Sequence, residues 1–238
     1  MKLSIIIPVF NEEKTIAQVI KNVYSVDFDN ITREIIIIDD GSSDKSLNEI
    51  KKAITGKKDI ALIGQSRNQG KGAAVASGIV EASGDYIIIQ DADFEYDPNQ
   101  IKELVKPILE NRAKVVYGTR LNRMPHLGKE EGKPRFLLHY FGNRFLSLVT
   151  SVLYGAWITD METCYKLFPA KIGKSLKLRS KRFDFEPEIT AKLLKSGYKI
   201  LELPITTKPR GYEEGKKLRT FHDGSIALWT LLKYRFTD

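Results

Sequence analysis

Glu34-Ile35-Ile36-Ile37-Ile38-Asp39-Asp40-Gly41-Ser42-Ser43-Asp44 is the stretch on which the fold turns. Four consecutive isoleucines leave no polar face, so the run reads as a strand buried on both sides, as in the interior of a parallel sheet. Two acids, a glycine and two serines then end it, which is turn chemistry leading into a helix capped by Ser43 or Asp44. The same alternation extends in both directions. Short β-branched runs at 3–7, 60–63, 86–89 and 114–117 alternate with helix-like segments at 12–24, 44–54, 70–81 and 98–110, the last opened by Pro98. Alternating strands and helices build βαβ units. The expected fold class is therefore α/β, a mostly parallel, twisted, doubly wound sheet flanked by helices.

In such sheets ligands bind beyond the carboxyl ends of the strands. The segments at those ends read Pro8-Val9-Phe10-Asn11-Glu12, Asp39-Asp40-Gly41-Ser42, Gln90-Asp91-Ala92-Asp93-Phe94-Glu95 and Gly118-Thr119-Arg120, so carboxylates gather on one rim. Asp91 and Asp93 stand two residues apart where a buried strand opens. Oxygen ligands of this kind suit Mg²⁺ or Mn²⁺ bridging the phosphates of a nucleotide. Such a pair also occurs as loop acids or caps, and it is the position after a buried strand that favours the metal. Asp39 and Asp40 are more acid than a cap requires, and a carboxylate at a strand end can accept hydrogen bonds from a base or ribose. Asn68-Gln69-Gly70-Lys71-Gly72-Ala73-Ala74 is a Gly-rich entry to a helix, where backbone N–H groups favour anions. It lacks the spacing of a Walker loop. Lys71 there either reaches a phosphate or lies in solvent.

The 238 residues, 42% hydrophobic and 29% charged, suit one globular domain. A formal charge of +8 favours anionic partners: nucleic acid, an acidic membrane surface or phosphorylated small molecules. The chain has no recognition helix, zinc module or aromatic-basic interleaving, which argues against nucleic acid. No stretch approaches the ~20 apolar residues of a membrane span, and the start is too short and strand-like for a signal peptide. The single Cys164 excludes an internal disulfide and a Cys-rich zinc site. The expected location is cytoplasmic, or peripheral on the cytoplasmic face of a membrane. Residues 121–135 read as a mobile loop that would cover a substrate. The helix at 136–154 carries Leu137, Leu138, Phe141, Phe145, Leu148, Val149 and Leu153 on more than one face. Core, a second subunit or a membrane must cover it. A strand at 164–168, a helix at 186–194, a strand at 199–203 and an amphipathic helix at 225–235 follow.

The strand-end motifs, with Asp160-Met161-Glu162-Thr163-Cys164-Tyr165-Lys166-Leu167-Phe168 and Phe183-Asp184-Phe185-Glu186, resemble in order and spacing those of family 2 glycosyltransferases, over nearly the whole chain. Within that family the chain is most similar to the dolichyl- or polyprenyl-phosphate mannosyl- and glucosyltransferases. The resemblance implies a GT-A fold in a single domain, 1–238, with a nucleotide-sugar-binding half at 1–120 and an acceptor-side half at 121–238. Pro8, Phe10, Glu12 and Asp39 would line the nucleoside pocket, with Lys71 and Ala92 also on the nucleotide side. Asp91 and Asp93 would hold Mg²⁺ or Mn²⁺ at the diphosphate, with Arg120 close to phosphate. Glu95 stands at the third metal position, where these relatives commonly have Gln. Arg210 and Lys216 resemble the family's Arg-x-x-Gly-x-Ser-Lys loop in their spacing of six, although Glu213-Glu214-Gly215 alters its interior; they would clamp the diphosphate and an anionic acceptor.

The implied reaction is an inverting transfer of a hexose from a GDP-mannose or UDP-glucose type of donor to a polyprenyl or dolichyl phosphate. The alternative acceptor is a sugar hydroxyl in envelope or surface polysaccharide, for which a carboxylate must take a proton. Asp160 and Glu162 are the acids expected nearest the acceptor. Nucleotidyl transfer is less favoured, because the Gly-rich N-terminal signature of those enzymes is absent after Ile7.

Overall fold

The computed structural model describes residues 1–121, 124–125, 134–208 and 220–237. Its strands are β1 (Lys2–Val9), β2 (Thr32–Asp39), β3 (Ile60–Gly64), β4 (Tyr86–Ile89), β5 (Val115–Thr119), β6 (Lys166–Pro169) and β7 (Ile200–Pro204). Its helices are α1 (Ile16–Ser25), α2 (Ser46–Ile54), α3 (Lys71–Glu81), α4 (Ile101–Leu109), α5 (Pro134–Tyr154), α6 (Ala170–Ser175), α7 (Phe185–Lys195) and α8 (Thr220–Phe236). All seven strands form one sheet in the order β3-β2-β1-β4-β6-β5-β7.

The isoleucine run lies inside it as its composition requires. Ile35 pairs with Ile5 on one side and Ile60 on the other, and Ile35 to Ile38 are all buried. The chain runs outward from β1 through β2 to β3, then returns across β1 to β4. That reversal makes β1 and β4 neighbours with parallel directions, so the segments after Val9 and after Ile89 open onto one crevice.

β6 runs antiparallel to both β4 and β5. It enters the sheet from the rim at which its neighbours leave, so the residues just before it arrive at the same crevice. Side-chain periodicity carries no strand direction, and the sequence reading did not resolve this. Other differences are local. The helix expected from residue 12 begins at Ile16, because Glu12 is held in a turn, its N–H donating to Ser46 Oγ and its carbonyl accepting from Thr15 and Ile16. The strand expected at 164–168 is shifted to Lys166–Pro169 and is followed at once by the short α6, which no periodicity announced. Pro98 opens a 3₁₀ turn ahead of α4, capped by Asp97. Most of the loop expected at 121–135, residues 122–123 and 126–133, lies outside the described residues, and α5 already includes residues 134 and 135.

At the far end of the sheet, Glu34 accepts from Lys2 Nζ at 2.7 Å, Ser4 Oγ at 2.6 Å, and both Ser83 Oγ and Ser83 N at 2.6 Å. Burial works against its charge, but those donors outweigh it and hold the carboxyl at about 2. Because the folded-state value is depressed, its contribution is complete above the ordinary carboxylate range and is lost as pH falls toward about 2. In urea unfolding from pH 6 to pH 2, the stability gap between the wild type and Glu34→Gln should therefore close; a gap that stays constant would contradict the assignment.

Candidate active site

A cavity of about 550 Å³ opens at the crevice between β1 and β4. The loop after β1 supplies Phe10 and Glu12, the loop after β4 supplies Asp91, Ala92, Asp93 and Glu95, and the end of β5 leads to Arg120. The approach to β6 contributes Glu162 and Cys164, and α7 contributes Glu186. The first two loops are locked together locally. Asn11 adopts a left-handed φ of 51°, which asparagine tolerates better than most residues. Its N–H donates to Ser42 Oγ at 3.0 Å and its Oδ1 accepts from Ser43 N at 2.8 Å. Thr15 Oγ1 donates to Ala92 O at 2.8 Å, fixing the Asp91–Asp93 loop against the start of α1.

A chain of alternating charge crosses the floor of the cavity. Lys166 is fully buried, its Nζ donating to Met161 O at 2.9 Å and bonding the Thr163 carbonyl and Glu186 Oε2 at close range. Glu186 Oε1 is also 3.7 Å from Lys71 Nζ, which is 2.6 Å from Asp91 Oδ1. Burial opposes the charge on Lys71, but the acids around it, Asp91 first, raise its pKa well above the usual lysine range. Lys71 thus stands in an ion pair inside the cavity wall and is not a solvated lysine. Cys164 lines the same wall, and burial and Asp91 push its thiol up, so it is no ready nucleophile.

The Gly-rich entry to α3 serves a different purpose from the anion cradle expected of it. The N–H groups of Gln69 and Gly70 both donate to Asp40 at 2.8 Å, and Ala73 N donates to Lys181 O at 3.1 Å. These donors are already taken by protein. The glycines are needed because residues 180–185 lie against them: a Cβ on Gly70 would meet Lys181 O at 2.3 Å, and one on Gly72 would meet Ser180 O at 2.5 Å. Asp40, not its neighbour, lines the cavity. Asp39 is buried at the end of β2, where its Oδ1 has no hydrogen-bond partner among the described residues.

Arg120 and Asp160 form a two-pronged pair. Arg120 Nε donates to Asp160 Oδ2 at 2.7 Å, Nη2 donates to Oδ1 at 2.8 Å, and the Arg120 N–H adds a third bond at 2.9 Å. Burial opposes the guanidinium charge, but Asp160 outweighs it and raises the Arg120 pKa. The turn carrying Asp160 is held in turn by Glu202 of β7, which accepts from Thr159 N at 2.7 Å and Asp160 N at 2.9 Å. With both oxygens engaged and no exposure, Asp160 orients Arg120 and is not available to an acceptor. Glu162 is the acid of this segment that lines the cavity.

Of the residues singled out in the sequence, Pro8, Phe10, Glu12, Lys71, Asp91, Ala92, Asp93, Glu95 and Arg120 line this one cavity, while Asp39 and Asp160 support it from behind. Arg210 and Lys216 lie outside the described residues. Asp93 Oδ1 accepts from Glu95 N at 3.0 Å, which curls the loop so that the acids return to the rim. Among the described residues, no group of three or more His, Cys, Asp or Glu side chains stands close enough to hold an ion, and Asp91 is engaged by Lys71. The donor chemistry nevertheless fits a hard divalent cation, which takes one or two carboxylates plus phosphate oxygens and water. Asp40, Tyr96, His139, Lys166 and Glu186 were missed as individual site residues. Only the Phe183-Asp184-Phe185-Glu186 motif hinted at the last of them.

A sheet that reverses between β1 and β4, with acids at that switch and a cavity behind them, is the layout in which α/β proteins bind ligands beyond their strand ends. Residues 4–168 match the family model described as Glycosyl transferase family 2, and the chain belongs to that family. It is 31% identical over 220 residues to UDP-N-acetylglucosamine–dolichyl-phosphate N-acetylglucosaminyltransferase of Methanococcus voltae, covering 85% of this chain and 84% of that one. It is 28% identical over 219 residues to dodecaprenyl-phosphate galacturonate synthase of Rhizobium johnstonii, covering 91% and 62%. Among solved structures, glucosyl-3-phosphoglycerate synthase of Mycobacterium tuberculosis in complex with Mn²⁺, UDP-glucose and phosphoglyceric acid superposes with a TM-score of 0.71 at 16% identity, covering 98% of this chain and 79% of that one. The fold is GT-A.

Removing the charge of Asp160 should strand the Arg120 guanidinium. Breaking a buried pair from one side costs about 3–5 kcal/mol, and because Arg120 still faces the cavity Asp160→Asn is expected at the lower end, about 3 kcal/mol. A urea midpoint unchanged from the wild type would show that the pair carries no such weight.

Proposed function

We propose that this family 2 glycosyltransferase is an inverting, metal-dependent hexosyltransferase that takes its sugar from a nucleoside diphosphate and delivers it to a polyprenyl-type lipid phosphate at a membrane surface. The observation that carries this reading is the union of two differently built spaces. The charged cavity with Asp91, Asp93, Glu95 and Arg120 adjoins a groove of about 240 Å³ between α5 and α8 that is lined by Leu138, Phe145, Leu146, Ala227 and Leu228. The relatives named for dolichyl- and dodecaprenyl-phosphate chemistry support the same acceptor class.

In the proposed reaction an oxygen of the acceptor phosphate attacks C1 of the sugar. The bond from C1 to the nucleoside diphosphate oxygen breaks, and its electron pair leaves with the diphosphate. The attacking phosphate is already ionised, so no proton has to be removed. Asp91, Asp93 and Glu95 would hold Mg²⁺ or Mn²⁺, which when bound neutralises charge on the diphosphate. Lys71 must then release Asp91, and Glu186 at 3.7 Å is the carboxylate ready to retain it. Arg120, oriented by Asp160, faces the cavity with its charge fixed and stabilises the leaving group without transferring a proton. Glu12, Phe10 and Asp40, with Asp39 behind, form the wall that a base and ribose would meet.

The outer surface fits such an acceptor. Leu138, Phe141, Phe145, Leu148 and Val152 are exposed at spacings of three and four along α5, and Trp229, Leu232 and Phe236 are exposed along α8. No acid occurs from Pro134 to Trp157 or from Gly224 to Phe236, whereas Arg144, Lys233 and Arg235 are exposed there. An apolar face fringed by cations suits the headgroup boundary of an anionic bilayer. No helix among the described residues is long and apolar enough to cross one.

A second reading, transfer to a sugar hydroxyl, is favoured by Glu162, whose carboxyl at about 8 is basic enough to take a proton.

Asp93→Ala should abolish transfer and the metal-dependent part of nucleotide binding in calorimetry while leaving the thermal midpoint near that of the wild type; retained turnover sinks the metal assignment. Replacing Phe141 and Phe145 together with Ser should release the protein from vesicles containing anionic lipid without loss of stability, since both side chains are more than half exposed. Undiminished vesicle binding would return that face to subunit contact.

A further inference from the structure

Four residues, His139, Glu162, Phe183 and Asp223, line both the charged cavity and the α5–α8 groove. They form the passage between the two. If the lipid tail lies in the groove and the sugar in the cavity, the acceptor's phosphate must come to rest at this passage. Two of the four are acids, and an ionised carboxylate there would repel a phosphate.

Glu162 is built to avoid that. Its Oε1 is closed off from solvent and has no hydrogen-bond partner among the described residues. Glu186 on α7 and Asp160 before β6 add negative charge around it, while Lys166 on β6 and Arg120 after β5 only partly compensate. Lys166 is itself bound to Glu186, and Arg120 to Asp160. Both of these cations therefore already have their own carboxylate, and among the described residues Glu162 is the surplus acid. His139 on α5 and Asp223 on α8 complete the titratable groups of the passage. Burial first, and then the Glu186 charge, push the Glu162 carboxyl up to about 8. At neutral pH it is mostly an uncharged acid with one O–H to give.

We propose that Glu162 anchors the acceptor, donating an O–H hydrogen bond from its carboxylic acid to the phosphate of the lipid. The inference rests on the lipid-phosphate reading above and adds to it the group that recognises the phosphate. No proton is transferred: the bond is made to a non-attacking phosphate oxygen and persists through the displacement.

The test compares the wild type, Glu162→Gln and Glu162→Leu, all as the full chain, with undecaprenyl phosphate in mixed micelles and the nucleotide sugar that best stabilises the protein. Thermal midpoints establish that each variant is folded. Gln keeps a neutral donor at nearly the same shape, so Glu162→Gln should retain most of the wild-type rate at pH 7. Leu removes the donor and should raise the acceptor KM roughly 10- to 100-fold, the range for a hydrogen bond to a charged group, with kcat less affected. The wild-type profile should fall as pH rises through about 8, and that of Glu162→Gln should not. Ionisation of the acceptor is common to all three proteins and cancels in the comparison. An inactive Glu162→Gln beside a wild type whose rate climbs through about 8 would make Glu162 a base and overturn the proposal. Three identical pH profiles would reduce it to a wall residue and overturn it equally. In either case the lipid-phosphate reading survives if the wild type transfers sugar to undecaprenyl phosphate. A wild type that transfers none defeats that reading and the inference with it.

Discussion

A lysine ammonium sealed inside the protein organises the catalytic side of this molecule. Taking Lys166 out of water is tolerable only because Glu186 and two backbone carbonyls close around it. Meeting that demand draws four elements to one point: β6 carries Lys166, α7 carries Glu186, α3 carries Lys71 and the loop after β4 carries Asp91. The charges alternate along that line, so each has a neighbour of opposite sign. Among the described residues, Glu162 lies beside that line with no cation of its own, and burial with the Glu186 charge pushes its carboxyl up to about 8.

Strand direction determines what the line can reach. Had β6 run parallel to its neighbours, residues 160–165 would lie at the opposite end of the sheet. Antiparallel entry brings Asp160, Glu162 and Cys164 to the rim where Asp91, Asp93 and Arg120 emerge. The helix before β6 follows from the same choice. α5 precedes it and α8 packs against α5, with Leu146, Ile158, Met161, Ala227 and Leu231 forming a small core of their own under the groove. The charged cavity and the apolar groove therefore meet at the mouth of one antiparallel strand.

The first 120 residues were largely legible. Buried β-branched runs ending in acids and glycines read as strands opening onto a rim, and each of the quoted strand ends contributes residues to the cavity. Errors arose where a single residue type admits two environments. Asp39 is the last residue of β2 and Asp40 the first beyond it, and composition could not tell which of the two acids lines the cavity. The Gly-rich start of α3 has the form of an anion site, but its N–H groups are taken by Asp40 and by the Lys181 carbonyl, and a segment more than a hundred residues downstream explains the glycines. Asp160 looked like an acid near the acceptor because nothing in its own segment announces the Arg120 fork that holds it.

By itself the sequence determined the parallel core, the acidic rim and the family, because each of these is written in local patterns of burial and turn chemistry. Tertiary structure alone decided the strand order with its switch between β1 and β4, the direction of β6, the pairing of Lys71 with Asp91 and Lys166 with Glu186, the isolation of Glu162 and the joining of an apolar groove to a charged cavity. Those are properties of distance between segments far apart in the chain. The charge state of a buried group depends on every neighbour it meets in space, and no one stretch of residues contains that information.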